Sequence, residues 1–112
     1  MSTEPLSVIV PAFNCEKTIS QVIQSILDQD YPGSIELIVV DDGSTDDTAR
    51  IVKSFPKVGY VHQQNSGPAV ARNRGVQEAT HQFLFFTDSD CVAERNWLKM
   101  MMMRLSAESV AA

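Results

Sequence analysis

Cysteine is scarce in this sequence. Cys15 and Cys91 form neither a CxxC pair nor a metal-ligand spacing, so a disulfide framework and a zinc ribbon are excluded; two reduced, semi-buried thiols are expected. Long hydrophobic runs are also missing: nothing approaches the roughly 18 apolar residues of a membrane helix. The N-terminal Met-Ser-Thr-Glu-Pro is not a signal peptide. The expected compartment is therefore cytoplasmic, peripheral to the membrane at most as part of a longer protein. There is no GxGxxG and no GxxxxGK[ST], which argues against a dinucleotide-dependent oxidoreductase and a P-loop NTPase. Basic charge is in short supply, with nine Lys and Arg against fourteen Asp and Glu and a net charge of −5. Nucleic acid and anionic membranes are thus not expected partners through bulk charge. Any bound phosphate must be held by a few specific groups or by a metal.

What is present reads as one domain over residues 1–112, with 44% hydrophobic and 21% charged residues. Four short apolar runs have strand character: Leu6–Val10, Ile35–Val40, a weaker Val58–Val61, and Phe83–Phe86. Runs apolar on both faces suit a covered, parallel sheet. Between them lie helical patterns. Ile19, Val22, Ile23, Ile26 and Leu27 give an amphipathic stripe ended by Tyr31-Pro32-Gly33. A second helix is expected from Ser44, where Ser44-Thr-Asp-Asp47 resembles a capping box, to just before Pro56. A third runs from about Pro68 to Ala79, and Trp97, Leu98, Met100, Met101 and Leu105 suggest a fourth. The order βαβαβαβα implies an α/β open sheet.

In such sheets ligands bind outside the carboxyl ends of the strands. Here three strands end in Pro11-Ala-Phe-Asn14, Asp41-Asp-Gly-Ser44 and Asp88-Ser-Asp90. Four carboxylates at one edge repel one another unless something neutralises them, and a divalent cation is the simplest candidate. Oxygen-only ligands suit Mn2+ or Mg2+. In an extended segment Asp88 and Asp90 point to the same side and could share one ion. Plainer readings exist: Asp-Ser-Asp as a helix cap, Asp-Asp-Gly-Ser as a turn, and Ser66-Gly67-Pro68 with Arg72-Asn73 as a helix start and solvated face. Near the acidic edge, Arg72 could instead pair with an Asp or a phosphate. His62 and His81 are isolated.

Together these motifs resemble the family 2 glycosyltransferases of the GT-A fold. The matching stretches are Ser7–Asn14, Glu36–Asp46, Asn65–Gly75 and Phe85–Asp90, with Trp97-Leu98 behind the last. The resemblance implies a Rossmann-like, mostly parallel sheet flanked by helices, and an inverting, hexosyltransferase-type enzyme using a nucleotide-diphosphate sugar, a UDP-sugar being the expected donor. It places Pro11, Ala12, Asn14 and Glu16 around the nucleotide, Asp41 and also Asp42 at the base, and Gly67 where backbone approaches the nucleotide. Arg72 and Asn73 would stand behind Gly67. Asp88 would reach ribose and metal, and Asp90 the metal, Mn2+ or Mg2+.

The family's catalytic base, which deprotonates the acceptor hydroxyl, lies well after this DxD motif. Only Glu94 and Glu108 follow Asp90 here, and Glu94 stands too close. The expectation is therefore the N-terminal, donor-binding half of a transferase, inactive by itself, with its base beyond residue 112 and its acceptor unknown. Such a half-sheet would expose an edge and invite self-association. The main rival is a non-catalytic nucleotide-sugar-binding or assembly module. A minor one is a haloacid dehalogenase-like phosphatase, suggested by Phe83–Phe86 followed by Asp88-Ser-Asp90-Cys-Val92. A phospho-receiver module lacks the Lys it would need after a later strand.

Overall fold

The computed structural model describes residues 3–111, and the side chains of residues 3–105. Its elements are β1 (Leu6–Ala12), α1 (Ile19–Leu27), β2 (Ile35–Asp41), α2 (Thr48–Lys53), β3 (Gly59–His62), α3 (Pro68–Glu78), β4 (Phe83–Phe86) and α4 (Trp97–Ala111). The strands lie in the order β3-β2-β1-β4 and every pairing is parallel. Two crossovers step outward from β1 to β3, and the third returns across the sheet to set β4 on the other side of β1. The reversal falls between β1 and β4. At such a switch point the loops leaving the two strands diverge and open a crevice.

Alternation along β1 divides the core. Leu6, Val8, Val10 and Ala12 point to one face, where Ile19, Ile23 and Ile26 of α1, Val52 of α2, and Leu98 and Met102 of α4 close over them. Ile9 points to the other, against Ile38, Val40 and Ala71 of α3. Each of the Val, Leu, Ile and Met side chains among these, buried from water, contributes roughly 1.5–3 kcal/mol. The second face is thin, and α3 must come close to cover it: a Cβ at Gly75 would fall inside the envelope of Ile9 Cγ2.

Pro11 lies inside β1, where a missing N–H usually breaks a ladder. Its neighbours show why it is tolerated. The Ala12 carbonyl accepts from Asp42 N–H on the β2 side, while the Ile9 carbonyl accepts from Thr87 N–H on the β4 side. Pro11 shares the direction of Ile9, and β4 stops pairing at Phe86. The absent donor would have pointed to the strand that turns away there, so Pro11 helps end the β1–β4 ladder where the crevice begins.

The structure corrects several boundaries. α2 starts at Thr48 rather than Ser44, because residues 44–47 are occupied in a loop clasp described below. α1 ends at Leu27, before the Tyr31-Pro32-Gly33 stop, with Asp28 closing its last turn. β1 and β2 run on to Ala12 and Asp41. In α4 the buried methionine is Met102, not Met100, which is exposed. Cys15 is half-buried as expected, whereas Cys91 is exposed.

Candidate functional site

The two acids at the end of β2 point in different directions and do different work. Asp41 is 1% exposed. Its Oδ1 accepts from Ser44 N–H at 2.9 Å and its Oδ2 from the Tyr60 hydroxyl at 2.6 Å. Burial, followed by that hydrogen bond and the Asp41 charge, pushes the Tyr60 phenol well above its ordinary value. Asp42 is 4% exposed and organises the loop leading into α3. Oδ1 accepts from Gln63 Nε2 at 2.8 Å and Ser66 N–H at 2.7 Å; Oδ2 accepts from Gly67 N–H at 3.0 Å and, at 3.4 Å, from Asn65 Nδ2. Burial alone would raise its pKa, but the donors from Gln63, Ser66 and Gly67 outweigh it and hold it below the ordinary carboxylate value. Gly67 has φ 100, a left-handed conformation open to glycine, and this lets the chain turn its N–H onto Asp42 and enter α3 at Pro68.

The loop after β1 is locked to the loop after β2. Asn14, at φ 47, donates its N–H to Ser44 Oγ and accepts from Thr45 N–H at 2.8 Å. Glu16 N–H donates to Asp46 Oδ2, and Glu16 Oε2 accepts from Asp47 N–H. The side chains of Asn14 and Glu16 are thus committed to a clasp between the two loops. This is also why Ser44 caps no helix. Asp46 serves α2 instead, accepting from both the N–H and hydroxyl of Thr48.

Asp88 and Asp90 come together, though not on an extended strand as expected. β4 ends at Phe86, and a turn closed by Cys91 N–H donating to the Asp88 carbonyl carries them. Ligand atoms of Asp88, Asp90 and Cys91 all lie within 4.8 Å of one another, and all three residues are exposed. Two accessible carboxylates in reach of a common point fit Mn2+ or Mg2+, which take a carboxylate or two and leave positions for substrate oxygens.

Two clefts meet at this turn. One of about 340 Å3 lies between Phe13, Asp42, Gly67 and Asp88. The other, about 630 Å3, runs along β4 and α4 past Phe86, Val92, Trp97 and Met100. Pro11, Arg72 and Asp88 border both. Of the residues expected around a nucleotide, the structure therefore gathers Pro11, Ala12, Asp42, Gly67, Arg72 and Asp88 on the smaller cleft. Asp41, Asn14, Glu16 and Asn73 do not line it; Asp41 is buried and Asn73 is exposed on α3. Residues the sequence reading missed are Phe13, 49% exposed on the rim, and the Tyr60, Gln63 and Asn65 partners of the acid pair. An aromatic just past an apolar strand was a usable signal for Phe13; the others were not marked by any local pattern.

The family model for glycosyl transferase family 2 matches residues 7–112. The chain belongs to this family. Among its relatives, the uncharacterized glycosyltransferase YibD of Escherichia coli (strain K12) is 39% identical over 93 residues, which cover 80% of this chain and 27% of YibD. Among solved structures, Staphylococcus aureus TarS 1-349 in complex with UDP-GlcNAc has a TM-score of 0.79 and 37% identity, covering 91% of this chain and 31% of that one. Glucosyl-3-phosphoglycerate synthase from Mycobacterium tuberculosis, in complex with Mn2+, UDP and glucosyl-3-phosphoglycerate, has a TM-score of 0.77 and 28% identity, covering 91% and 39%. This family 2 chain spans well under half the length of each.

Proposed function

We propose that this chain binds the donor of a sugar-transfer reaction, a UDP-sugar, in the cleft at the β1–β4 switch point. The observation that carries the reading is the convergence of Pro11, Asp42, Gly67, Arg72 and Asp88 on one cleft, with the Asp90 carboxylate within 4.8 Å of that of Asp88 in the adjoining turn. The half-exposed ring of Phe13 offers a flat apolar surface for a planar base. Asp42 Oδ2, with one short protein donor and one long contact, retains capacity to accept a base N–H. Asp41, buried with both oxygens engaged, supports this arrangement.

The Arg72 side chain makes no hydrogen bond or ion pair among the described residues and borders both clefts, a position suited to a diphosphate. Asp88 and Asp90 would hold Mn2+ or Mg2+, and the bound ion supplies Lewis-acid stabilisation of the charge on the leaving nucleoside diphosphate. The transfer we propose is inverting. The acceptor hydroxyl oxygen bonds to the anomeric carbon as the bond from that carbon to the diphosphate oxygen breaks, and the hydroxyl proton passes to a carboxylate base that is not among the residues assigned here. The outer edge of β4, unpaired among the described residues, is proposed to support self-association.

Calorimetry with UDP, UMP and uridine tests the diphosphate assignment. UDP should bind tightest, and Arg72→Ala should weaken UDP roughly tenfold while leaving uridine almost unchanged, the size expected for one charged hydrogen bond. Equal affinity for UDP and uridine would overturn the reading.

A further inference from the structure

The Asp88–Asp90 turn sits at the exposed end of an edge strand, and from Cys91 to Glu94 the chain has no regular secondary structure. Its position is nevertheless set, from one direction. The Thr18 hydroxyl donates to the carbonyl of Ser89, between the two acids, at 2.8 Å. One and two stretches further along, Ser25 Oγ accepts from Ala93 N–H at 3.0 Å, and Gln29 donates to the Glu94 carbonyl while accepting from Leu98 N–H at 2.9 Å. Asp30 N–H adds a bond to the Arg95 carbonyl at 2.7 Å. Thr18, Ser25 and Gln29 are seven and four residues apart, so they share one side of α1 and its continuation.

Thr18 is the informative member. It occupies the N-cap position of α1, where a threonine ordinarily turns its oxygen onto its own helix, yet it makes no cap hydrogen bond. Its hydroxyl is directed to a carbonyl in the middle of the acid pair, distant by most of the chain. The remaining tethers fix the segment that follows; this one holds the turn's backbone, beside a hydrogen bond between the Cys15 side chain and Ser89. We infer that Thr18 is a positioning residue for the Asp88–Asp90 metal site, holding both carboxylates at the spacing one divalent ion requires. The inference rests on the metal-dependent donor reading above. Thr18 touches neither donor nor ion and acts through the Ser89 backbone. α1 is thereby a splint joining the first crossover to the metal turn, with Thr18, Ser25 and Gln29 bordering the buried stripe of Ile19, Val22, Ile23 and Ile26 while Ser20, Gln21 and Gln24 face solvent.

The test is Mn2+ affinity by electron paramagnetic resonance in the presence of UDP, alongside thermal melting, for the wild-type chain, Thr18→Val, Thr18→Ala and Thr18→Ser. Val keeps the shape and removes the donor; Ala does so with a smaller side chain should Val disturb folding; Ser restores the hydroxyl. Loss of one such bond predicts roughly three- to tenfold weaker Mn2+ binding in the Val and Ala variants, near-wild-type binding in Ser, and UDP affinity in EDTA unchanged throughout. Val and Ala variants that melt lower but bind Mn2+ as wild type does would overturn the positioning role and leave the donor reading standing. A wild-type chain that binds UDP equally with and without Mn2+ would overturn the metal reading and the inference with it.

Discussion

Asp42 shows how one side chain can join fold and site. Its carboxylate gathers donors from Gln63, Ser66 and Gly67, and so determines where α3 begins and how the cleft floor is shaped. Asp42→Asn keeps the volume but cannot accept at both ends, leaving backbone N–H groups at the entrance of α3 without a partner. We expect a loss of about 1–3 kcal/mol in chemical denaturation, the usual cost of an orphaned buried donor, together with weaker UDP binding. A variant as stable as wild type would show that the loop is held by other means. Next to it, Gly67→Ala meets no neighbouring atom within 4 Å, so its cost comes from φ alone, about 1–2 kcal/mol. The adjacent acids looked alike in sequence, and their division of labour was not legible there. It depends on where each carboxylate points as the chain leaves β2, Asp41 toward Tyr60 and Asp42 toward the Gly67 loop.

Among the elements, α3 packs tightly against the central strand. Gly75 lies against Ile9 of the central strand with no room for a methyl group, and Ala71 fills the neighbouring position. Gly75→Ala should therefore destabilise despite the higher helix propensity of alanine, by about 1–3 kcal/mol from overpacking. A rise in melting temperature would contradict the packing account. Strands and helices were largely readable because their periods are local: the stripe Ile19, Val22, Ile23, Ile26 is buried as its spacing implied, and β4 runs from Phe83 to Phe86 as expected. The start of α2 was not readable. Ser44-Thr-Asp-Asp47 has the composition of a cap, but Asn14 and Glu16, thirty residues earlier, claim those groups through the fold. Long-range partners overrode a local signal.

At the scale of the whole molecule, the parallel order β3-β2-β1-β4 brings four separate motifs to one edge and leaves the other flank of β4 unpaired among the described residues. Phe86, Met100 and Val92, the last 64% exposed, add apolar surface along the larger cleft beside β4 and α4. An open strand edge beside apolar surface favours pairing between copies. Light scattering should show an average mass that rises with concentration, and a strictly monomeric protein at high concentration would contradict this. Acid sensitivity is also a property of the whole. Glu36, Asp42 and Asp46 all have pKa values held below the ordinary carboxylate range; burial opposes this in each case, and hydrogen bonds from Thr80 and Ser7, from Gln63, Ser66 and Gly67, and from Thr48 prevail. Groups lowered on folding add stability above their unfolded pKa and lose it as pH falls through the native value. Stability should therefore be flat near neutrality and fall once the pH drops below about 4, with Asp42→Asn showing a shallower fall; acid-independent melting would contradict the assignment.

The central claim is a metal-dependent donor site built where β1 and β4 part. It is tested most directly by titrating the chain with UDP in a calorimeter, with Mn2+ and with EDTA, beside Asp90→Ala. Tight binding that needs the ion is expected, lost in Asp90→Ala, whose fold, judged by melting, stays intact because the side chain is exposed. UDP binding that ignores both Mn2+ and Asp90, or no binding by a folded wild-type chain under either condition, would contradict it.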